Sequence, residues 1–202
     1  MTQTQMSRRL FASIALVAAT SACGDVIRQG KSPVVVVIDR LTGSSGGGSG
    51  NASGTLQSDV LVNKCVAPAA PCPTIFSDSG QATMRLVPKD SLIDPTSNNQ
   101  VTITRYHVTY RRADGRNTPG VDVPFGFDGA VTGTIPESGT FVFSFELVRH
   151  VAKEESPLVQ LASSPNIINT IAEITFYGTD LVGNAVSATG FMSIEFGNFG
   201  DQ

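Results

Sequence analysis

Residues 101–111 read VTITRYHVTYR, and this stretch decides the fold class of the chain. Its larger apolar side chains alternate with polar ones: Val101, Ile103, Tyr106, Val108 and Tyr110. A period of two places one face of a strand on a core. The first two side chains occupy odd positions and the last three even ones. An extra residue in a strand shifts the phase in this way, so we predict a β-bulge at Thr104–Arg105.

Apolar side chains alternate in the same way in later and earlier parts of the chain. Residues 81–88 carry such a stripe, and residues 141–147 carry the largest aromatic one, with Phe141, Phe143 and Phe145. Residues 172–177 and 185–196 form two further strands around a turn at 180–184, which predicts a C-terminal hairpin.

Upstream, four valines and an isoleucine at 34–38 predict a first strand, and 56–62 predict a short one. Between them, 43–54 read GSSGGGSGNASG, which has no side chain larger than Asn and cannot contribute to a core. We predict a flexible loop within one domain, because a stranded valine segment would expose an apolar patch. A linker that separates residues 34–41 from the body is the alternative.

These patterns predict an all-β protein, an antiparallel β-sandwich of about seven strands formed by a single domain at residues 33–198. The pattern Tyr106-x-Val108-x-Tyr110 resembles a central strand of fibronectin-III-like domains. The pattern Asp180-x-x-Gly183-Asn184 before a last strand resembles the hairpin of bacterial Ig-like domains. The resemblance covers residues 81–196 and implies an Ig-like or fibronectin-III-like fold, which hosts many unrelated functions.

The N-terminal segment indicates location. Arg8 and Arg9 precede an apolar run at 10–19, which is too short for a spanning helix of about 20 residues. With the following Thr-Ser-Ala-Cys at 20–23, it resembles a bacterial lipoprotein signal. The resemblance implies that residues 1–22 are removed, that Cys23 is acylated, and that 23–32 form a tether. An ordinary secretory signal cut near Ala22 is the alternative.

Charge and cysteine usage fit an exported protein. Without residues 1–22, 180 residues remain, with 12 basic and 17 acidic side chains and a net charge of −5. This balance argues against nucleic acid or an anionic membrane surface as the main partner. If Cys23 carries lipid, Cys65 and Cys72 are left as a pair, and we predict a disulfide between them. A metal site is disfavoured, because the spacing is not C-x-x-C and the histidines lie far away.

The sequence offers no catalytic constellation. There is no G-x-S-x-G motif, and the only two histidines are His107, on the strand, and His150, in a polar segment. Glu154-Glu155 is typical of a solvated pair. A calcium site at the turn aspartates is an alternative, but no twelve-residue calcium loop is present. We therefore predict no catalytic residue, no metal and no cofactor.

The one local concentration of basic residues comprises Arg105, Arg111, Arg112 and Arg116. We interpret it first as the polar edge of a sheet that prevents edge pairing; the alternative is a binding patch that contacts an acidic partner or a glycan phosphate. We expect a lipid-anchored, non-enzymatic interaction or structural module of the bacterial cell envelope. Its partners would be the membrane, through the N-terminal lipid, and another envelope protein or a glycan. A glycan-binding module of the envelope is the alternative.

Overall fold

The computed structural model describes residues 30–48, 52–65, 70, 72–92 and 94–200. The predicted signal, Cys23 and most of the predicted tether lie outside these residues. The described strands are β1 (Val34–Ser44), β2 (Thr55–Asp59), β3 (Val62–Asn63), β4 (Pro73–Thr74), β5 (Asp78–Pro88), β6 (Val101–Arg111), β7 (Phe127–Ile135), β8 (Phe141–Val148), β9 (Ile168–Asp180) and β10 (Ala185–Gly197). A short helix, α1 (His150–Glu154), and 3₁₀ turns at Ser97–Asn99 and Leu158–Ser163 complete the described elements.

Two sheets form the body. A three-stranded sheet has the order β1-β5-β8, and a five-stranded sheet that curls into a half-barrel has the order β2-β10-β9-β6-β7. β3 and β4 pair separately. The prediction of an all-β fold is confirmed. The strands outnumber the seven expected, and the arrangement is mixed rather than wholly antiparallel, because β2 runs parallel to β10.

The core lies between the two sheets. The ring of Phe145 on β8 lies 5.2 Å from the ring of Tyr106 on β6 and 5.2 Å from that of Phe176 on β9, both edge to face. Phe143 and Leu147 are buried beside them. Aromatic pairs of this geometry contribute about 0.5–1.5 kcal/mol beyond the area they bury. The predicted aromatic stripe of β8 thus joins the two sheets.

The predicted β-bulge is present. The register of β6 shifts between Ile103 and Arg105 against both β7 and β9. The shift leaves Arg105 exposed and turns Tyr106 into the core. Gly129 of β7 lies opposite Tyr106, and a Cβ built on it would lie 2.2 Å from a ring atom of that tyrosine. Only glycine leaves room for the ring.

The predicted C-terminal hairpin is also confirmed, because β9 and β10 pair from Thr179–Ala185 to Ile168–Phe196. The Asp180 carboxylate accepts hydrogen bonds from the backbone N–H groups of Val182 and Asn184 at 3.1 and 2.7 Å. Burial acts to raise the pKa of Asp180, but the hydrogen bonds from Asn184, Ser32 and Val182 together lower it below its ordinary value.

The described chain begins at the hairpin end of the body. The Pro33 carbonyl accepts from the Lys89 N–H at 2.8 Å, and the Gly30 carbonyl accepts from Lys89 Nζ at 3.2 Å. Ser32, assigned to the tether from sequence, is buried. We call this region the entry end: residues 30–33, 89–92, 94–100 and 181–184. The β6–β7 turn lies at the far end, about 33 Å away along the eleven residues of β6.

β1 belongs to the three-stranded sheet, where it pairs with β5 from Val34 to Ser44. Gly43 and Ser44, the first residues of the predicted flexible loop, are therefore in a strand. Gly43 and Ser53 exchange backbone hydrogen bonds at 2.8 and 3.0 Å. Residues 49–51 lie outside the described part. Within the described part, no helix combines the length and the hydropathy needed to cross a bilayer.

Candidate functional site

The predicted disulfide is confirmed. Cys65 and Cys72 are bonded, with their Cα atoms 5.3 Å apart. The bond lies beside the β3–β4 pair, where Lys64 N–H donates to the Cys72 carbonyl at 3.3 Å. The disulfide closes a short loop, so it stabilises this part of the chain locally.

Three of the four predicted patch arginines lie together at the far end. Arg112 binds Asp114 with two nitrogens, Nε at 3.1 Å and Nη2 at 2.6 Å, and Arg116 Nη2 lies 3.2 Å from the same carboxylate. The Arg112 guanidinium holds the pKa of Asp114 well below its usual range. Arg111 lies next to them and pairs with Glu173 of β9 at 3.1 Å.

Arg105 is separate from this group. Six residues along the strand place it about 20 Å from Arg111. Its guanidinium lies 4.2 Å from the ring centre of Tyr177 and 3.5 Å from the Asp128 carboxylate. All four arginines therefore have an acidic partner on this chain, and their surface carries both signs of charge.

The two histidines do not meet. His107 lies on the outer face of β6 with Nδ1 3.2 Å from Asp128 Oδ1, and His150 begins α1. Nearby, Arg149 covers the Phe127 ring at 4.1 Å and donates to the Asp128 carbonyl at 2.9 Å. These contacts order the β6–β7 edge.

A buried ion pair is the group that the sequence analysis missed. Lys153 of α1 and Asp78 at the start of β5 are each 1% exposed, and Lys153 Nζ lies 2.7 Å from Asp78 Oδ1. The same nitrogen donates to the Asp59 carbonyl at 2.7 Å. The other carboxylate oxygen accepts from Ser58 Oγ at 2.6 Å, and Oδ1 also accepts from the Gly46 N–H at 2.8 Å.

These contacts define what the pair can do. Burial of two charges is costly unless they are paired and further hydrogen-bonded, and both conditions are met here. Both groups are enclosed by the surrounding protein. The pair therefore joins four parts of the chain: α1, β2, β5 and the segment after β1. At this point no backbone hydrogen-bond ladder connects these four parts.

Two open grooves border β1, one along its middle and one at its C-terminal end. One of about 480 Å³ lies between residues 36–41 and 188–191, and one of about 420 Å³ is lined by residues that include Ser45, Gln57 and Glu195. Neither lining contains histidine or cysteine. In the part of the chain that the structure describes, no three His, Cys, Asp or Glu side chains are grouped so that they could hold a metal ion.

In comparisons with known proteins, no protein-family model, no curated protein and no solved structure matches the chain.

Proposed function

We propose that this chain is a lipid-anchored module of the bacterial cell envelope that acts by binding another envelope protein or as a structural part. The observation that carries the proposal is Cys23, which follows two arginines, a short apolar run and Thr20-Ser21-Ala22. The bond between Cys65 and Cys72 supports it, because it leaves Cys23 as the one cysteine of three without a disulfide partner.

For the body, we propose an Ig-like or fibronectin-III-like domain. Two features support this: the buried Tyr106 and Tyr110 on a central strand, and the hairpin turn at 180–184 before the last strand. Tyr110 also joins the sheets, because its hydroxyl donates to the Leu147 carbonyl of β8 at 2.7 Å. The parallel pairing of β2 with β10 adds an edge strand to this arrangement.

The proposal assigns the protein no catalytic activity. Enclosure of the Lys153–Asp78 pair supports this, as does the position of His107, which is held by a carboxylate on an open sheet face. Hydrolysis of an envelope substrate by the purified protein, lost in His107→Ala or His150→Ala, would contradict the assignment.

The far end is the proposed binding surface. Arg111, Arg112 and Arg116 lie there at the opposite end of β6 from the point where the chain enters. Their acidic partners on the same chain leave little excess positive charge for a polyanion. A protein surface that carries both signs of charge matches this arrangement better, and it gains specificity from complementary pairs.

A glycan-binding module remains the second candidate, and among the three tyrosines it depends on Tyr177. Sugars stack on exposed aromatic rings; of the three tyrosines, Tyr106 and Tyr110 are buried. Tyr177 faces outward, but the Arg105 guanidinium lies over its ring. A sugar would have to displace that arginine, which favours a protein partner.

The anchor is tested by metabolic labelling of bacterial cells with a palmitate analogue. We expect label on the wild-type chain, none on Cys23→Ala, and full label on the control Cys65→Ala/Cys72→Ala. An unlabelled wild-type chain released from the membrane would refute the anchor.

The surface is tested by photocrosslinking in intact cells from a crosslinker placed at Val121, at the far end. We expect one discrete protein adduct, reduced by Arg111→Glu/Arg116→Glu and unchanged by the control Arg85→Glu on the other sheet. Adducts insensitive to the far-end charges, or binding on a glycan array that is lost in Tyr177→Ala, would contradict this assignment.

A further inference from the structure

Three large apolar side chains are exposed at the entry end. Leu92, in the loop after β5, is 92% exposed, and Leu181 and Val182, in the β9–β10 turn, are 58% and 72% exposed. An exposed leucine or valine is unremarkable when it is alone. Here the three occupy two loops at one end of the body.

Hydrogen bonds place both loops beside the point where the chain enters. The Leu181 N–H donates to the Gln100 carbonyl at 3.2 Å, which joins the hairpin turn to the end of the β5–β6 loop. At the start of that loop, Lys89 is bonded to Gly30 and Pro33. Ser32 is bonded to Asp180, directly before Leu181.

The chain length before Gly30 limits the distance to the anchor. Cys23 and Gly30 are seven positions apart. Even a fully extended chain spans no more than about 25 Å over seven residues. With Cys23 acylated, the entry end cannot lie farther than about this distance from the lipid headgroups, whereas the far end is separated from the entry end by the length of β6.

Exposure alone does not single out these residues, since Val121 at the far end is 66% exposed. What distinguishes Leu92, Leu181 and Val182 is their position beside the point where the chain enters the body. We propose that Leu92, Leu181 and Val182 insert into the headgroup region of the phospholipid bilayer and hold the body upright, with the far end directed away from the membrane. This inference rests on the lipid anchor of the proposed function.

The charges of the entry end indicate which lipid surface it fits. Lys31 and Lys89 lie there with Asp90 and Asp94, so neither sign dominates. Insertion would then depend on apolar contact rather than on anionic lipid, which agrees with the acidic balance of the chain. A zwitterionic phosphatidylcholine surface is sufficient.

The experiment compares two valines of similar exposure. Full-length lipidated protein with Val182→Cys is labelled with an environment-sensitive fluorophore and reconstituted in phosphatidylcholine liposomes; the control is Val121→Cys. With Cys23 acylated and Cys65–Cys72 bonded, the introduced thiol is the one that reacts. Leu92→Cys provides a second position on the other loop.

We expect emission from positions 182 and 92 to shift to shorter wavelength and to be quenched by lipids spin-labelled near the headgroup, whereas emission from position 121 shows neither effect. If the protein floats with the liposomes and the labels at 182 and 92 behave like the label at 121, the insertion is refuted and the anchor stands. If the protein does not float, the anchor is refuted, and the insertion with it.

Discussion

Lys153→Met should be among the most damaging single changes in this protein. The substitution keeps the length of the side chain and removes its charge, so the Asp78 carboxylate stays buried without its ion partner. Loss of one partner of a buried pair costs about 3–5 kcal/mol of unfolding free energy. Asp78→Asn should cost a similar amount, because it leaves the ammonium group unpaired in the same enclosed site.

Urea unfolding followed by far-UV circular dichroism measures these losses. For a urea m value of about 3 kcal/mol/M or less, a loss of about 3–5 kcal/mol lowers the midpoint by about 1 M or more. The double variant Lys153→Met/Asp78→Asn should lose less than the sum of the single losses, by about 0.5–3 kcal/mol, because neither charge is then left alone.

Arg85→Met is the matched control. Arg85 Nε lies 2.8 Å from Asp39 Oδ1, nearly the distance of the buried pair, but the Arg85 side chain is 47% exposed. An exposed pair contributes about 0–1 kcal/mol, so the midpoint should hardly move. If Lys153→Met costs no more unfolding free energy than Arg85→Met at an unchanged m value, the prediction is wrong, because burial would then add nothing to the contribution of the ion pair.

Three further predictions concern the body. Gly129→Ala should lose about 1–3 kcal/mol of unfolding free energy through the clash with Tyr106, whereas Gly54→Ala, whose Cβ would meet no atom within 4 Å, should lose almost nothing; equal effects would contradict the close approach. Burial raises the pKa of both Tyr106 and Tyr110 above 10.0; their contribution to stability is full below pH 10 and is lost as the pH rises above it, so phenolate absorbance from Tyr110, the more strongly shifted of the two, should appear only with unfolding. The lowered pKa of Asp180 means that its contribution to the unfolding free energy is present above its ordinary pKa of 3.8 and is lost as the pH falls through the pKa of the folded state. Asp180→Asn should therefore cost about 1–3 kcal/mol of unfolding free energy at neutral pH and reduce the fall of stability with decreasing pH. A fall as steep as that of the wild type would refute this prediction.

The sequence predicted well those features that depend on neighbours along the chain. The phase change in 101–111 located the bulge, because a period of two is a local property that one extra residue disturbs. The C-terminal hairpin and the disulfide followed for the same reason, since their partners are close in sequence.

Features that join distant segments were not predictable in this way. Lys153 and Asp78 are 75 positions apart, and nothing near either residue marks it as buried. The four arginines looked like a basic patch because Glu173 and Asp128, which pair with two of them, come from other strands. The glycines at the end of β1 suggested a loop, yet Gly43 approaches β10 so closely that a Cβ would lie 2.5 Å from Met192.

The pairing of β2 with β10 has a consequence for the order of events during folding. In its sheet, within the described residues, β2 has β10 as its one neighbour, although the paired residues are 138 positions apart in the chain. A chain that extends only as far as α1 therefore lacks the strand with which β2 pairs. Contacts over such separations form slowly, and the half-made chain keeps apolar strands uncovered. Folding of this sheet should thus wait until the last strand, which ends at residue 197, is present.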